Sequence, residues 1–193
     1  AATASGCRKS SSNGPGTGFG RERQIGDKMG LNELTIHELQ DRIREREITS
    51  TDLVTDVFRR IDAVEERVRS FTTVMRESAF EDAKKADEEI RRGNLRPLTG
   101  IPIALKDLHC TRGVRTACGS RILHNFIPPY DGTVVRKLRE EGAVFVGKTN
   151  SPVFGFRGTC DNYLFGPSKN PFDLSKNTGG SSGGSAGAVA AGL

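Results

Sequence analysis

The sequence lacks an apolar run as long as a membrane-spanning helix needs, which is about 20 residues. It also lacks any C-x-x-C spacing among its four cysteines, Cys7, Cys110, Cys118 and Cys160. Cysteines without paired spacings are typical of reduced intracellular proteins rather than of secreted disulfide frameworks. We therefore expect a cytoplasmic protein that has no membrane association, no metal and no cofactor.

A basic stripe with interleaved aromatic residues, the usual mark of a nucleic-acid binder, is missing as well. The formal net charge is +5, but residues 1–28 contain five basic and two acidic side chains and therefore supply +3 of it. The remaining residues are nearly balanced in charge. We expect no direct binding of nucleic acid by this chain.

Composition divides the chain into three segments. Residues 1–28 are rich in glycine, serine and charge and hold almost no large apolar side chain, which predicts a disordered tail or extraneous translation ahead of Met29. Residues 29–95 carry helical patterns and form a predicted N-terminal helical segment. Residues 96–193 follow as the predicted first part of an α/β core.

The helical segment contains three predicted helices. Thr35 and Glu38 form a capping box at the start of the first. The second follows Thr49 and carries apolar residues at helical spacing. The third runs from about Ser78 to Gly93, which we predict to be its C-terminal capping residue.

Two short apolar runs, residues 101–105 and 143–146, are bounded by breakers and predict buried strands. Between them, Asp131 is the predicted N-cap of a helix that ends at Gly142. The order strand, helix, strand predicts parallel pairing and an α/β core.

Residues 142–149 satisfy the phosphate-loop pattern G-x-x-x-x-G-K-[ST] letter for letter. A true phosphate loop follows a strand and opens a helix. Here the middle of the pattern is itself a predicted strand, so nucleotide binding is rejected. Residues 148–150 are expected to form a strand-end loop near the functional site.

Residues 179–185 (GGSSGGS) consist only of glycine and serine and run directly into a stretch of small residues. A flexible linker is the commonest origin of such a run, but linkers rarely continue into a segment suited to burial. The letters also fit the nucleophile elbow G-x-S-x-G, which should close a β-strand. Because the preceding residues 170–178 (NPFDLSKNT) are polar, the elbow is rejected.

This run resembles the amidase signature family of serine hydrolases, and so do residues 101–107 (IPIALKD), 147–150 (GKTN) and 165–171 (FGPSKNP). The resemblance extends from about Leu31 to the end of the chain, in the family's order. It implies an α/β fold with a mixed-sheet core flanked by helices, preceded here by the helical segment.

The resemblance also implies a Ser-Ser-Lys triad in place of Ser-His-Asp. Lys106 would be the neutral base, although a lysine at a strand end could by itself simply reach water. Ser181 would relay a proton between Lys106 and a nucleophilic serine, following a cis peptide bond between Gly180 and Ser181. Gly180 would remove a steric obstacle to that bond, and Ser182 would support the pair by hydrogen bonding.

In the family the nucleophilic serine lies about two dozen residues past the bridging serine, beyond Leu193. The chain is therefore expected to be truncated and inactive alone, since Ser185 lies too close in sequence to Ser181 to replace that nucleophile. Three roles stay open. We favour an amidase that hydrolyses a small amide; the alternatives are the A subunit of an aspartyl/glutamyl-tRNA amidotransferase, which needs partner subunits, and an inactive chain.

Overall fold

The computed structural model describes residues 30–193, so the expectation for residues 1–28 lies outside the described residues. Five helices and five strands follow in chain order within that range: α1 Ile36–Arg44, α2 Ser50–Val68, β1 Phe71–Val74, α3 Arg76–Arg92, β2 Pro102–Lys106, α4 Thr133–Glu140, β3 Val144–Thr149, β4 Lys169–Asn170, β5 Asp173–Asn177 and α5 Gly183–Ala190. Short 3-10 turns lie at Leu31–Glu33, Arg121–Leu123 and Val153–Gly155.

The three N-terminal helices form as their local patterns predict. The Thr35 hydroxyl accepts the Glu38 backbone N–H, and the Glu38 carboxylate accepts the Thr35 backbone N–H, which confirms the capping box. Thr49 and Asp52 make a second capping box at the start of α2. Helix α3 begins at Arg76, two residues before the predicted start, and Gly93 caps it with φ of +82°, as expected.

Helices α2 and α3 cover one side of the sheet with an apolar core. Fully or nearly buried side chains from the two helices and β3 form one cluster: Val54, Val57, Phe58, Ile61, Ala79, Ala83, Ala86, Val144 and Val146. Their spacing of three and four residues in α2 and α3 puts them on single helix faces. Burial of this surface is the main force that holds the helical segment to the sheet.

The main sheet is mixed and has the strand order β1-β3-β2. Strand β2 pairs with β3 in parallel, as the strand-helix-strand order predicts, and places Lys106 opposite Thr149. Strand β1, which the sequence patterns did not predict, pairs with β3 antiparallel. The sheet confirms the expected α/β fold class and makes β3 the central strand, buried along its whole length.

Two local expectations are wrong. Asp131 does not cap α4, because Gly132 occupies the N-cap position. The Asp131 carboxylate instead accepts hydrogen bonds from the Arg112 backbone N–H at 2.7 Å and from Arg139 Nε at 3.0 Å. Lys148 and Thr149 do not form a loop, since pairing with both neighbouring strands keeps them in β3.

Helix α5 packs closely against the segments that precede it, because its buried residues are small: Gly183, Gly184, Gly187 and Ala188. A Cβ on Gly183 would overlap the Cys160 side chain, and one on Gly184 would overlap the backbone of Asn150. The small-residue run, which its composition marks as suited to burial, therefore forms a close-packed helix. Its N-terminus lies beside the ends of β2 and β3. Every helix within residues 30–193 is too short or too polar to span a membrane.

Candidate active site

Lys106 and Ser181 meet where β2 ends and α5 begins. Lys106 Nζ donates a hydrogen bond to Ser181 Oγ over 2.7 Å. Both residues are half-buried, and burial lowers the pKa of Lys106, against a smaller opposite effect of Cys160. The Gly180–Ser181 peptide bond is cis. The structure thus brings together the two residues that the sequence singled out as base and bridge.

Asn177, a residue that the sequence patterns did not reveal, orders the loop that carries Ser181. Its side-chain oxygen accepts the backbone N–H of Gly179 at 2.7 Å and that of Cys160 at 3.1 Å, and its amide nitrogen donates to the Cys160 carbonyl. Asn177 is the last residue of β5, so it joins that strand to the segment around Cys160. A polar residue two positions before the glycine run was the one signal available in the sequence.

Gly180 lies where no side chain fits. A Cβ at this position would stand 2.9 Å from the carbonyl oxygen of Arg157 and 2.9 Å from the carbonyl carbon of Gly158. The Ser181 loop therefore packs directly on the backbone of residues 157–159. A surface cavity of about 310 Å³ adjoins the same segment and is lined by Arg157, Thr159, Asp161, Asn162, Tyr163, Pro167 and Asn177.

Ser182 lies at the surface, next in the chain to Ser181. It is exposed and takes the N-cap position of α5, where its side chain makes no capping hydrogen bond. Its expected support of the pair by hydrogen bonding stays a prediction.

A pair of hydroxyls makes a second contact between the sheet and α5, next to Lys106. Thr149 Oγ1 and Ser185 Oγ are 2.7 Å apart. Thr149 is fully buried and is the residue opposite Lys106 in the parallel pairing of β2 and β3. Ser185 was set aside as a nucleophile from the sequence, and the structure places its hydroxyl on Thr149.

Behind Lys106 lies a buried polar cluster centred on Lys148, whose side chain is fully buried. Lys148 Nζ donates hydrogen bonds to the His109 carbonyl at 2.6 Å, to Thr111 Oγ1 at 3.0 Å and to Thr116 Oγ1 at 2.9 Å. These bonds tie the loop after β2 to β3. The same contacts leave Lys148 no room to hold a phosphate, in agreement with the rejected nucleotide site.

Asp107 belongs to this cluster and follows Lys106 directly in the chain. Burial raises the pKa of its carboxyl from 3.8 to about 6, against the opposing charge of Lys148. Its Oδ2 accepts the Ala117 backbone N–H at 3.2 Å. Burial also lowers the pKa of Lys148, so the cluster disfavours both charges.

His109 contributes its backbone carbonyl to the cluster, where it accepts a hydrogen bond from Lys148 Nζ. Its partial burial and the charges of Lys148 and Lys106 lower the pKa of its imidazole. Within residues 30–193, no group of three or more His, Cys, Asp or Glu side chains is placed to hold a metal ion.

The geometry of Lys106 and Ser181 suits proton transfer. A lysine with a lowered pKa is more often neutral at a given pH and can then accept a proton. The Ser181 hydroxyl can donate one proton and accept another, so it can pass a proton between Lys106 and a third group.

Comparison with known proteins finds amidases and amidotransferase subunits that match most of the chain. The family model "Amidase" matches residues 52–193. The A subunit of glutamyl-tRNA(Gln) amidotransferase from Syntrophus aciditrophicus is 63% identical over 163 residues, and its counterpart from Geobacter sulfurreducens is 52% identical over 163 residues. In both cases the aligned part covers 84% of this chain and 34% of the relative. The chain thus spans about a third of the length of these curated relatives.

Solved structures show a similar fold. A peptide amidase from Stenotrophomonas maltophilia matches with a TM-score of 0.74 and 36% identity, over 79% of this chain and 33% of that one. A bacterial aryl acylamidase of the amidase signature family matches with a TM-score of 0.73 and 30% identity, over 78% of this chain and 32% of that one.

Proposed function

The chain belongs to the amidase signature family, and on this premise we propose that the protein hydrolyses a carboxamide C–N bond with Lys106 as base and Ser181 as proton relay. The observation that carries the proposal is the 2.7 Å hydrogen bond between Lys106 Nζ and Ser181 Oγ, made by a half-buried lysine. A lysine whose only role was to reach water would extend its ammonium into solvent. Lys106 instead directs its ammonium at the Ser181 hydroxyl, in a close-packed loop.

The proposed reaction has two steps. Neutral Lys106 takes a proton from Ser181, which takes one from a nucleophilic serine; the serine oxygen then bonds to the amide carbon, and the C–N bond breaks. The leaving nitrogen takes the proton back through the same pair. Water then attacks the acyl-enzyme ester, giving the free acid and the original serine. We propose that the nucleophilic serine lies beyond Leu193, as the family resemblance implies, and that residues 1–193 alone are inactive.

A second, narrower candidate is the glutamine-hydrolysing A subunit of a tRNA-dependent amidotransferase. It is favoured by identity, because curated relatives with that name reach 63%, whereas the peptide amidase reaches 36%. Under this proposal the substrate is the side-chain carboxamide of glutamine. The products are glutamate and ammonia, and partner subunits would use the ammonia.

The test uses the complete protein that contains this chain, assayed for release of ammonia from glutamine and from a panel of small amides, with and without the partner subunits. K106M and S181A should lower kcat by about 10³-fold, within the usual range for losing a general acid–base group. K85M, which removes an exposed lysine on α3, is the matched control and should retain wild-type activity.

A folded K106M variant that keeps activity within about threefold of wild type would overturn the base assignment. Hydrolysis of small amides in the absence of partner subunits, with glutamine a poor substrate, would support the stand-alone amidase instead of the amidotransferase. The 193-residue chain by itself should release no ammonia from any of these substrates.

A further inference from the structure

We infer that Thr149 and Ser185 form a positioning pair that sets the distance between Lys106 and Ser181. The inference rests on the proposed function, because it assigns the pair a task in that same site. Neither residue is proposed to touch the substrate. The inference is based on the 2.7 Å contact between Thr149 Oγ1 in β3 and Ser185 Oγ in α5, which lies beside the contact between Lys106 and Ser181.

The two links start side by side on the sheet. Lys106 and Thr149 are partners in the parallel register of β2 and β3, and residues opposite one another in paired strands point to the same face of a sheet. That face is the one on which α5 begins, because Lys106 reaches Ser181 and Thr149 reaches Ser185. The sheet and the start of α5 are thus joined at two neighbouring points.

The second link lies inside a rigid element, whereas the first does not. Ser185 is the third residue of α5, while Ser181 precedes the helix by two residues. The position of Ser181 against Lys106 therefore depends on where the first turn of α5 is held. The Gly184 backbone N–H also donates to the Asn150 carbonyl at 3.2 Å, so consecutive residues of the chain, Thr149 and Asn150, hold consecutive residues of that turn.

A purely structural role is the competing explanation. Thr149 is fully buried, and a buried hydroxyl needs a partner whatever its function. The two explanations differ for a double replacement. Exchanging both hydroxyls for apolar groups of similar shape can leave stability nearly unchanged, whereas it removes the bond that would hold α5 in place.

The experiment measures kcat, KM and melting temperature of the complete protein for T149V, T149S, S185A and the double variant T149V/S185A. We expect about a tenfold fall in kcat for T149V and S185A with KM within about twofold of wild type, since small misplacements of catalytic groups reduce the rate far more than binding. The double variant should fall no further than either single variant, because all three remove one bond. T149S keeps the hydroxyl and should restore kcat.

T55V is the matched control, because the Thr55 hydroxyl bonds to its own helix at the Thr51 carbonyl. Wild-type kcat in a folded T149V/S185A variant would overturn the inference, and so would a fall in kcat that T149S does not restore. The proposed function and the positioning pair can fail separately. If K106M stays active, Lys106 is not the base and the proposed function fails. If K106M is inactive but T149V is fully active, only the positioning pair is rejected.

Discussion

The Lys148 ammonium lies 3.9 Å from Oδ1 of Asp107, and the two side chains are 0% and 2% exposed. At that distance the ion pair is long, while the three hydrogen bonds of Lys148 to neutral oxygens are short. The carboxylate oxygen that faces Lys148 accepts no hydrogen bond among the described residues. The cluster is therefore held by hydrogen bonds to Lys148 more than by charge attraction.

Replacing Lys148 should strongly destabilise the protein. K148M removes the donor that the His109 carbonyl and the Thr111 and Thr116 hydroxyls share. Removing one partner of a buried ion pair lowers the free energy of unfolding by about 3–5 kcal/mol. The measurement is the free energy of unfolding of the complete protein in urea. K137M, at an exposed lysine of α4, should change it by less than about 0.5 kcal/mol. A K148M protein within about 1 kcal/mol of wild type would contradict the prediction.

Asp107 should make stability fall as pH rises through weakly acidic values. Its pKa is about 6 in the fold against an ordinary 3.8, so the folded state binds this proton more tightly than the unfolded state. The resulting stabilisation is complete below pH 3.8, is lost as pH rises to about 6, and amounts to roughly 3 kcal/mol. Subtracting the D107N stability curve from the wild-type curve between about pH 4 and pH 7 isolates this effect. Parallel curves would show that Asp107 does not titrate there.

The rate of amide hydrolysis should rise with pH under the proposed mechanism. Lys106 acts only as the neutral amine, and its burial places the pKa below the ordinary 10.5. The acidic limb of kcat/KM against pH should therefore have its midpoint below 10.5 and should report the free enzyme. S181A, which removes the hydroxyl that Lys106 binds, should lose this limb together with the activity. A kcat/KM that stays flat over the whole pH range below 10.5 in which the protein is folded would argue against a titrating base.

Gly184 should not tolerate a methyl group. A Cβ there would lie 2.6 Å from the carbonyl oxygens of Asn150 and Ser70, and backbone atoms can yield only by moving the helix. G184A should therefore lower the melting temperature by several degrees, consistent with about 1–3 kcal/mol for overpacking. It should also lower kcat, because Ser181 lies just before the start of α5. G158A is the control, since nothing lies within 4 Å of a Cβ at Gly158, and equal melting temperatures for the two variants would refute the argument.

Short-range patterns predicted the helical part of the fold well. The capping box at Thr35 and the C-terminal cap at Gly93 each involve residues within one helical turn. The local sequence is therefore enough to predict them. Strand β1 was missed because Phe71–Val74 is only four residues long and forms by pairing with β3, more than 70 residues further on. The capping role expected of Asp131 was wrong because its carboxylate is engaged by Arg112 and Arg139, which the fold brings to it.

The sequence by itself determined the fold class, the helical segment and, through the family resemblance, the two residues on which the proposed chemistry depends. Tertiary structure alone decided their geometry. Lys106 and Ser181 are 75 positions apart, and Thr149 and Ser185 are 36 apart. Contacts over such separations leave no local pattern in the sequence, because they form only once the start of α5 lies beside the ends of β2 and β3. The burial of Lys148 could likewise not be predicted from the sequence, because a lysine is ordinarily exposed. Its burial is stable only because the surrounding oxygens accept its hydrogen bonds.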